Sequence, residues 1–396
     1  MRSGWRVCTT AKSIRRPLLF AVLCVAGVAA WQALTVHYSF GGNWTALYCT
    51  GSRFNSIPPE LRAEHIYLFP HSRGYDGQVY HYLAHDPLFR HNYAAYMDEP
   101  RYRGRRILVP GLAYLLACGH SGTVDAAYLA VIWLFTGLGA YWLSRFAEIR
   151  GYPAWAGLGF ALVPAALVSM DRLTVDVALA ACCVGFALYV AEDAAIPLYV
   201  LLSLASLSRE TGLLLTAAYC IYLAGERRWR AMLIFTTSVL PVAAWYLFLY
   251  FHTPPAGSTF ISLIPFAGAF HRIVHPFPYP FGGIVKPIAM TLDLLALAGI
   301  LAGVAWAFWR AWQRAWNPVT VALYLFAALT LSLSNVDAWS EVYAFGRTLT
   351  PLVLLAALDG LNMRSLLPAW GMLLIDPRIG LQLGPQILNV VRGITS

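Results

Sequence analysis

The sequence predicts an all-α polytopic membrane protein, and three observations carry that reading. Of 396 residues, 59% are hydrophobic and only 12% are charged, against about 25% charged in a soluble domain. The apolar residues fall into successive runs, several of them about 20 residues long, the length that crosses a bilayer. The breaks between runs carry arginine, which marks membrane flanks. A water-soluble core cannot hide this much apolar surface, so lipid must solvate much of it.

Taken in order, residues 1–16 hold Arg2, Arg6, Lys12, Arg15 and Arg16, which predicts a cytoplasmic tail by the positive-inside rule. Residues 17–36 form the first span. A cleaved signal peptide would have an apolar stretch of only about 7–15 residues, so a retained signal-anchor is expected. Residues 37–106 follow as a long extracytoplasmic loop. It carries six of the ten histidines and six acids, Glu60, Glu64, Asp76, Asp86, Asp98 and Glu99. The helical spacing of Val79, Tyr80, Leu83 and Ala84 predicts a short helix over 77–86, lying at the membrane surface. Asp86-Pro87 ends it, because a residue before proline avoids the helical region.

Residues 107–376 supply the remaining helices. Apolar segments are expected at 107–119, 124–143, 153–170, 173–191, 196–208, 210–224, 231–251, 286–308, 318–334, 348–361 and 366–375. Residues 377–396 read as a C-terminal tail. The whole chain is then a single membrane-embedded domain, with about 10–12 apolar segments. The basic clusters at 226–230 and 310–314 predict cytoplasmic loops. Six segments precede the first of these, and six crossings would end on the wrong side. One of 107–119 and 196–208 is therefore expected to be re-entrant or broken, as is tolerated where backbone lines a cavity.

The net charge of +9 comes almost wholly from arginine; lysine occurs only at Lys12 and Lys286. No basic stripe lies outside the membrane flanks, which argues against nucleic acid as a partner. The seven cysteines form no CxxC pair and no metal-ligand spacing, so they read as small core residues. His81 and His85 stand at i,i+4, a spacing that can bind zinc. No HExxH pattern accompanies them, and they read as polar residues at the surface with no metal expected.

Charges inside apolar sequence are costly and mark function. The stretch Gly74-Tyr75-Asp76-Gly77-Gln78-Val79-Tyr80 puts an acid between two glycines in the polar loop. Glycine there would let backbone approach a ligand closely. Arg105 and Arg106 precede 107–119; they either snorkel to the interface or pair with a phosphate. Asp171-Arg172 and Asp176 sit between two runs, as a turn with a local ion pair or as part of the cavity that holds Asp76. Arg209-Glu210 interrupts 196–224, where Arg209 suits a lipid phosphate and Glu210 its orientation. Arg347 follows Gly346 at the head of another run.

The pattern Gly74-Tyr-Asp-Gly-Gln78 with Tyr80, then Ala84-His-Asp-Pro87, then Arg103-Gly-Arg-Arg-Ile-Leu-Val-Pro110 resembles bacterial members of the GT-C superfamily, multi-pass glycosyltransferases that use polyprenyl-phosphate-linked sugars. Arg209-Glu-Thr211 and Gly346-Arg347 with Pro351 are similar to that group's later motifs. The resemblance implies a GT-C-like helix bundle, a catalytic first loop and a mannosyltransferase-like, hexose-transferring activity in the bacterial inner membrane, N-terminus cytoplasmic. The donor would be a polyprenyl-phosphate sugar and the acceptor a cell-envelope glycan or lipid. Asp76 matches the general base. Many such proteins carry paired acids in this loop; here Gly77 follows Asp76, which favours a metal-free, cofactor-free mechanism. Tyr75, Gln78, Tyr80, Arg105, Arg106, Asp171, Asp176, Arg209, Glu210 and Arg347 are the expected substrate-binding set, with membrane lipids around them. The competing expectations are a transporter or flippase of lipid-linked glycans and a non-enzymatic envelope-assembly protein.

Overall fold

The computed structural model describes residues 14–53, 57–255, 257, 264–279 and 282–395. Arg2, Arg6, Lys12 and Cys8 lie outside them. The chain is all-α apart from one two-residue parallel pair, β1 (Thr50–Gly51) with β2 (Leu68–Phe69). The helices are α1 (Arg15–Phe40), α2 (Pro59–Arg62), α3 (Asp76–His85), α4 (Pro100–Gly104), α5 (Leu108–Leu116), α6 (Ser121–Ile149), α7 (Pro164–Arg172), α8 (Asp176–Ala191), α9 (Ala195–Ser208) and α10 (Leu213–Gly225). There follow α11 (Trp229–Thr236), α12 (Leu240–His252), α13 (Ala267–Val274), α14 (Val285–Trp312), α15 (Pro318–Ser332), α16 (Val342–Thr348), α17 (Thr350–Asn362), α18 (Trp370–Leu373) and α19 (Asp376–Thr395).

Four stretches among the described residues are long and apolar enough to cross a membrane: α1, α6, the α11–α12 stretch Trp229–His252, and α14. Two bent pairs, Ala154–Leu162 with α7 and α16 with α17, raise this to six if each is one span. By length and composition the chain is a multi-pass membrane protein. Leu18, Val22, Leu233, Leu240, Phe251 and Leu294 turn outward, as lipid-facing side chains must when the bundle has no water around it.

The apolar helices that fall short of a span are the informative ones. α8, α9 and α15 have 16, 14 and 15 residues, or about 21–24 Å at 1.5 Å per residue. α8 packs against α6, α9 and α17, and nearly all of its residues are buried. A helix apolar on every side belongs in the middle of a bundle. Its N-terminus is Asp176, so a polar end is carried into the interior. α5 has nine residues, about 13 Å, and is too short to cross. The expected segment at 366–375 is only a turn and the four-residue α18.

Two expectations are corrected. The helix expected at the surface is α3, and it is buried: every residue from Gly77 to Ala84 is inside. Val79, Tyr82 and Leu83 join Leu61, Tyr93 and Met97 in a second small core, so the polar segment folds as a compact unit. Asp86 ends α3, taking hydrogen bonds from the backbone N–H of Arg90 at 2.7 Å and His91 at 2.9 Å. The expected C-terminal tail is the 20-residue α19, packed on α1 and α14. Its Gln386 donates to Asp171 at 2.7 Å.

Candidate functional site

The short and broken helices end together. Their charged termini meet the polar segment around a cavity of about 490 Å³. Asp76, in the first turn of α3, lies on its wall. The acid there suits the positive end of the helix, but its carboxylate turns to arginine. Arg103 Nη1 stands 2.8 Å from Oδ1, and Arg347 donates to Oδ2. Arg103 also pairs with Asp98 at 2.7 Å. Burial alone would raise the Asp76 carboxyl, but Arg103 and Arg347 outweigh it and hold it well below the usual carboxylate range.

Beneath Asp76, a second carboxylate repeats the arrangement. Asp176 binds Arg209 through Oδ1 and takes Arg347 Nη1 at 2.9 Å through Oδ2. Arg347 therefore bridges two acids, one at the cavity wall and one 2% exposed below it. Its guanidinium also lies over the Tyr75 ring, 4.9 Å from the centroid. Glu210 is paired by Arg106 at 2.8 Å. Arg106 Nη1 also donates to Tyr80 Oη at 2.8 Å. These side chains come from five stretches far apart in the chain, and Arg106, Asp176, Arg209, Glu210 and Arg347 each find a counter-charge here, which offsets their desolvation.

Of the expected site residues, Tyr75, Asp76, Arg105, Arg106, Arg209, Glu210 and Arg347 line the cavity. Asp176 and Tyr80 stand behind it as partners of lining arginines. Gln78 and Asp171 do not face it. Gln78 accepts from Gly51 N at 3.0 Å and donates to Arg73 O, tying down the loop before α3. Asp171 is taken up by Arg172, Gln386 and Tyr343, the last at 2.9 Å. Arg172 reaches Cys49 Sγ at 3.1 Å. Among the described cysteines none is in a disulfide.

The glycines beside Asp76 serve packing against the protein's own backbone, not approach to a ligand. At Gly74, with φ +76°, a Cβ would stand 2.6 Å from Gly51 N and 2.8 Å from Cys49 O. At Gly77 it would press on Arg172 O and stand 2.8 Å from Tyr48 O. Any side chain at 77 meets main-chain carbonyls that cannot rotate away, which is the physical reason a second acid does not follow Asp76. Gly77→Ala is expected to cost about 1–3 kcal/mol or more, read as a lowered melting temperature of the detergent-solubilised protein.

Arg103, which enters the sequence reading only as the start of a motif, and Glu341 were not among the expected site residues. Arg103 is hidden in a basic stretch that reads as a membrane flank. Glu341 lines the cavity next to the head of α16, and burial pushes its carboxyl up despite Arg378, Arg172 and Arg347. Among the carboxylates of the cavity, Asp76 is thus kept ionised while Glu341 binds a proton more readily, the kind of division acid–base chemistry uses. Arg105 makes no ion pair among the described residues; its guanidinium lies 5.5 Å from the Tyr246 ring centroid. It is the cation most available to an incoming anion. Comparison with family models, curated proteins and solved structures finds no match to this chain.

Proposed function

We propose that this chain is a GT-C-type glycosyltransferase. It moves a sugar from a polyprenyl phosphate to a cell-envelope glycan or lipid on the extracytoplasmic face of a bacterial inner membrane. The observation that carries this reading is Asp76 on the cavity wall with its carboxylate gripped by Arg103 and Arg347. An acid and a set of guanidiniums in one cavity are the two groups the chemistry needs.

The reaction needs an anion site for the leaving phosphate and an acceptor for one proton. The acceptor hydroxyl oxygen bonds to the anomeric carbon, the bond from that carbon to the phosphate oxygen breaks, and polyprenyl phosphate leaves. The anomeric centre passes through an oxocarbenium-like state, as in glycoside hydrolysis. Guanidiniums aimed at the phosphate stabilise the charge that develops there. The hydroxyl proton goes to Asp76.

A carboxylate locked to two arginines is a poor base. The donor phosphate resolves this: it competes for Arg347 and Arg103, and as they turn to it the Asp76 carboxyl regains proton affinity. Base and substrate are then coupled, since Asp76 is active only when a phosphate is bound. Tyr75, already under a guanidinium, is placed to pack on the sugar or on the first isoprene.

The test is label transfer in proteoliposomes. Purified protein, a radiolabelled polyprenyl-phosphate hexose and a bacterial envelope lipid extract should yield labelled acceptor. Label that crosses the bilayer without changing its carrier would instead establish a flippase. Arg105→Ala is expected to raise KM for the donor about 10- to 100-fold with little change in kcat, corresponding to about 1.5–3 kcal/mol for a charged hydrogen bond. Steady-state kinetics against donor concentration checks it.

A further inference from the structure

Away from the cavity, four candidate metal ligands come together. Glu64, His81, His85 and Asp125 each offer one ligand atom, and the four atoms lie within 4.8 Å of one another. None of them lines the cavity. His81 and His85 are not surface residues: their side chains are 0% and 3% exposed. Their i,i+4 spacing puts both on the side of α3 that meets the N-terminal end of α6. His81 Nε2 is 2.9 Å and His85 Nε2 is 3.4 Å from Asp125 Oδ1. Ligands about 2.0–2.2 Å from a tetrahedral zinc stand roughly 3.3–3.6 Å from each other.

Two observations distinguish this from a cluster held by hydrogen bonds alone. Nδ1 of the buried His81 has no partner among the described residues. Its Nε2 stands 2.9 Å from Asp125 Oδ1 in a contact poorly aligned for a hydrogen bond, as two ligands that share an ion would stand. A buried imidazole so poorly satisfied is costly, which a metal ion would offset. The surroundings are also those of a ligand set. Tyr48 Oη donates to Asp125 Oδ1 at 3.1 Å, and the Tyr48 ring stacks on His81 at 4.0 Å. His85 Nδ1 lies 3.1 Å from Ser121 Oγ, and Ser121 in turn donates to Glu64. If His85 Nδ1 donates to Ser121, Nε2 carries the lone pair, the tautomer a metal takes.

We propose that Glu64, His81, His85 and Asp125 form a zinc site that ties the polar segment to the start of α6. Two imidazoles with two carboxylates suit zinc; calcium and magnesium take oxygen ligands. His81 and His85 lie five and nine residues beyond Asp76, or about 7–8 and 13–14 Å along the helix axis. The metal therefore acts on Asp76 by fixing α3, as a positioning element, and the proposal does not depend on the transferase reading.

The full chain, purified in detergent, is equilibrated with zinc chloride, dialysed, and analysed by mass spectrometry for metal. About one zinc per chain is expected, and protein stripped with chelator and refilled with cobalt should show the intense visible absorption of tetrahedral Co²⁺. His85→Ala and, separately, Asp125→Asn should each weaken zinc binding by about 10-fold or more, with circular dichroism and size exclusion confirming that they fold. If neither variant folds, the cobalt spectrum of the wild type decides. Wild-type protein holding less than roughly 0.1 zinc per chain with no cobalt band, or folded variants that bind zinc as the wild type does, would overturn the proposal.

Discussion

Asp76→Asn should lower sugar transfer by about 10²–10⁴-fold. The loss should appear in kcat rather than in KM for the donor, because the amide keeps the volume and still leaves Arg103 and Arg347 free for phosphate. KM can even fall, since Arg347 no longer has to leave a carboxylate to reach the donor. Transfer at the wild-type rate by Asp76→Asn would remove Asp76 from the chemistry. The pH dependence of stability gives a second readout. The folded-state carboxyl lies below its unfolded value, so its stabilisation is fully present above the unfolded range near pH ~4 and is lost as the pH falls through the folded value. The gap in melting temperature between wild type and Asp76→Asn should therefore be constant from about pH 8 to pH 5 and shrink only below about pH 4.

The second large effect is on stability. Asp176→Ala should destabilise the protein by about 3–5 kcal/mol, a fall in melting temperature on the order of 10 °C. Asp176 is 2% exposed and neutralises two arginines that are themselves buried. Removing it leaves Arg347 with Asp76 alone and Arg209 with only the longer contact to Glu210, at 3.7 Å. Asp76→Asn should cost less, because the Asp76 side chain is 16% exposed and Arg103 keeps Asp98. A thermal-shift comparison of the two variants orders them; equal losses would mean that the buried carboxylate is no more important to the fold than the one at the cavity wall.

Most helices were legible from the apolar runs: 286–308 lies inside α14, and 231–251 inside the α11–α12 stretch. Charges within apolar sequence were legible as a candidate site for the same reason, since Asp176, Arg209 and Arg347 have no low-cost alternative to one another's company. What was not legible is pairing. Nothing local in Arg101-Tyr-Arg-Gly-Arg distinguishes Arg103, which grips Asp76, from Arg101, which donates to Tyr250 O at 3.0 Å. Gly77 reads as freedom for a ligand until Arg172 O is seen against it. The C-terminal helix did leave a signal: Ile379, Leu383, Gln386 and Val390 fall at helical spacing and, with Arg378, are the positions it buries. The burial of α3 was obscured by its histidines, which look like surface residues until Asp125 arrives from another helix.

The contact between Asp76 and Arg347 joins residues 271 positions apart. At a synthesis rate of about 5–20 residues per second, the acid emerges from the ribosome roughly 15–50 seconds before its cation. During that interval the polar segment must hold α3 together on its own resources, the small core around Leu61 and Tyr82 and the junction with α6. A chain that stops short of α16 would carry the acid on a formed helix, yet possess no site.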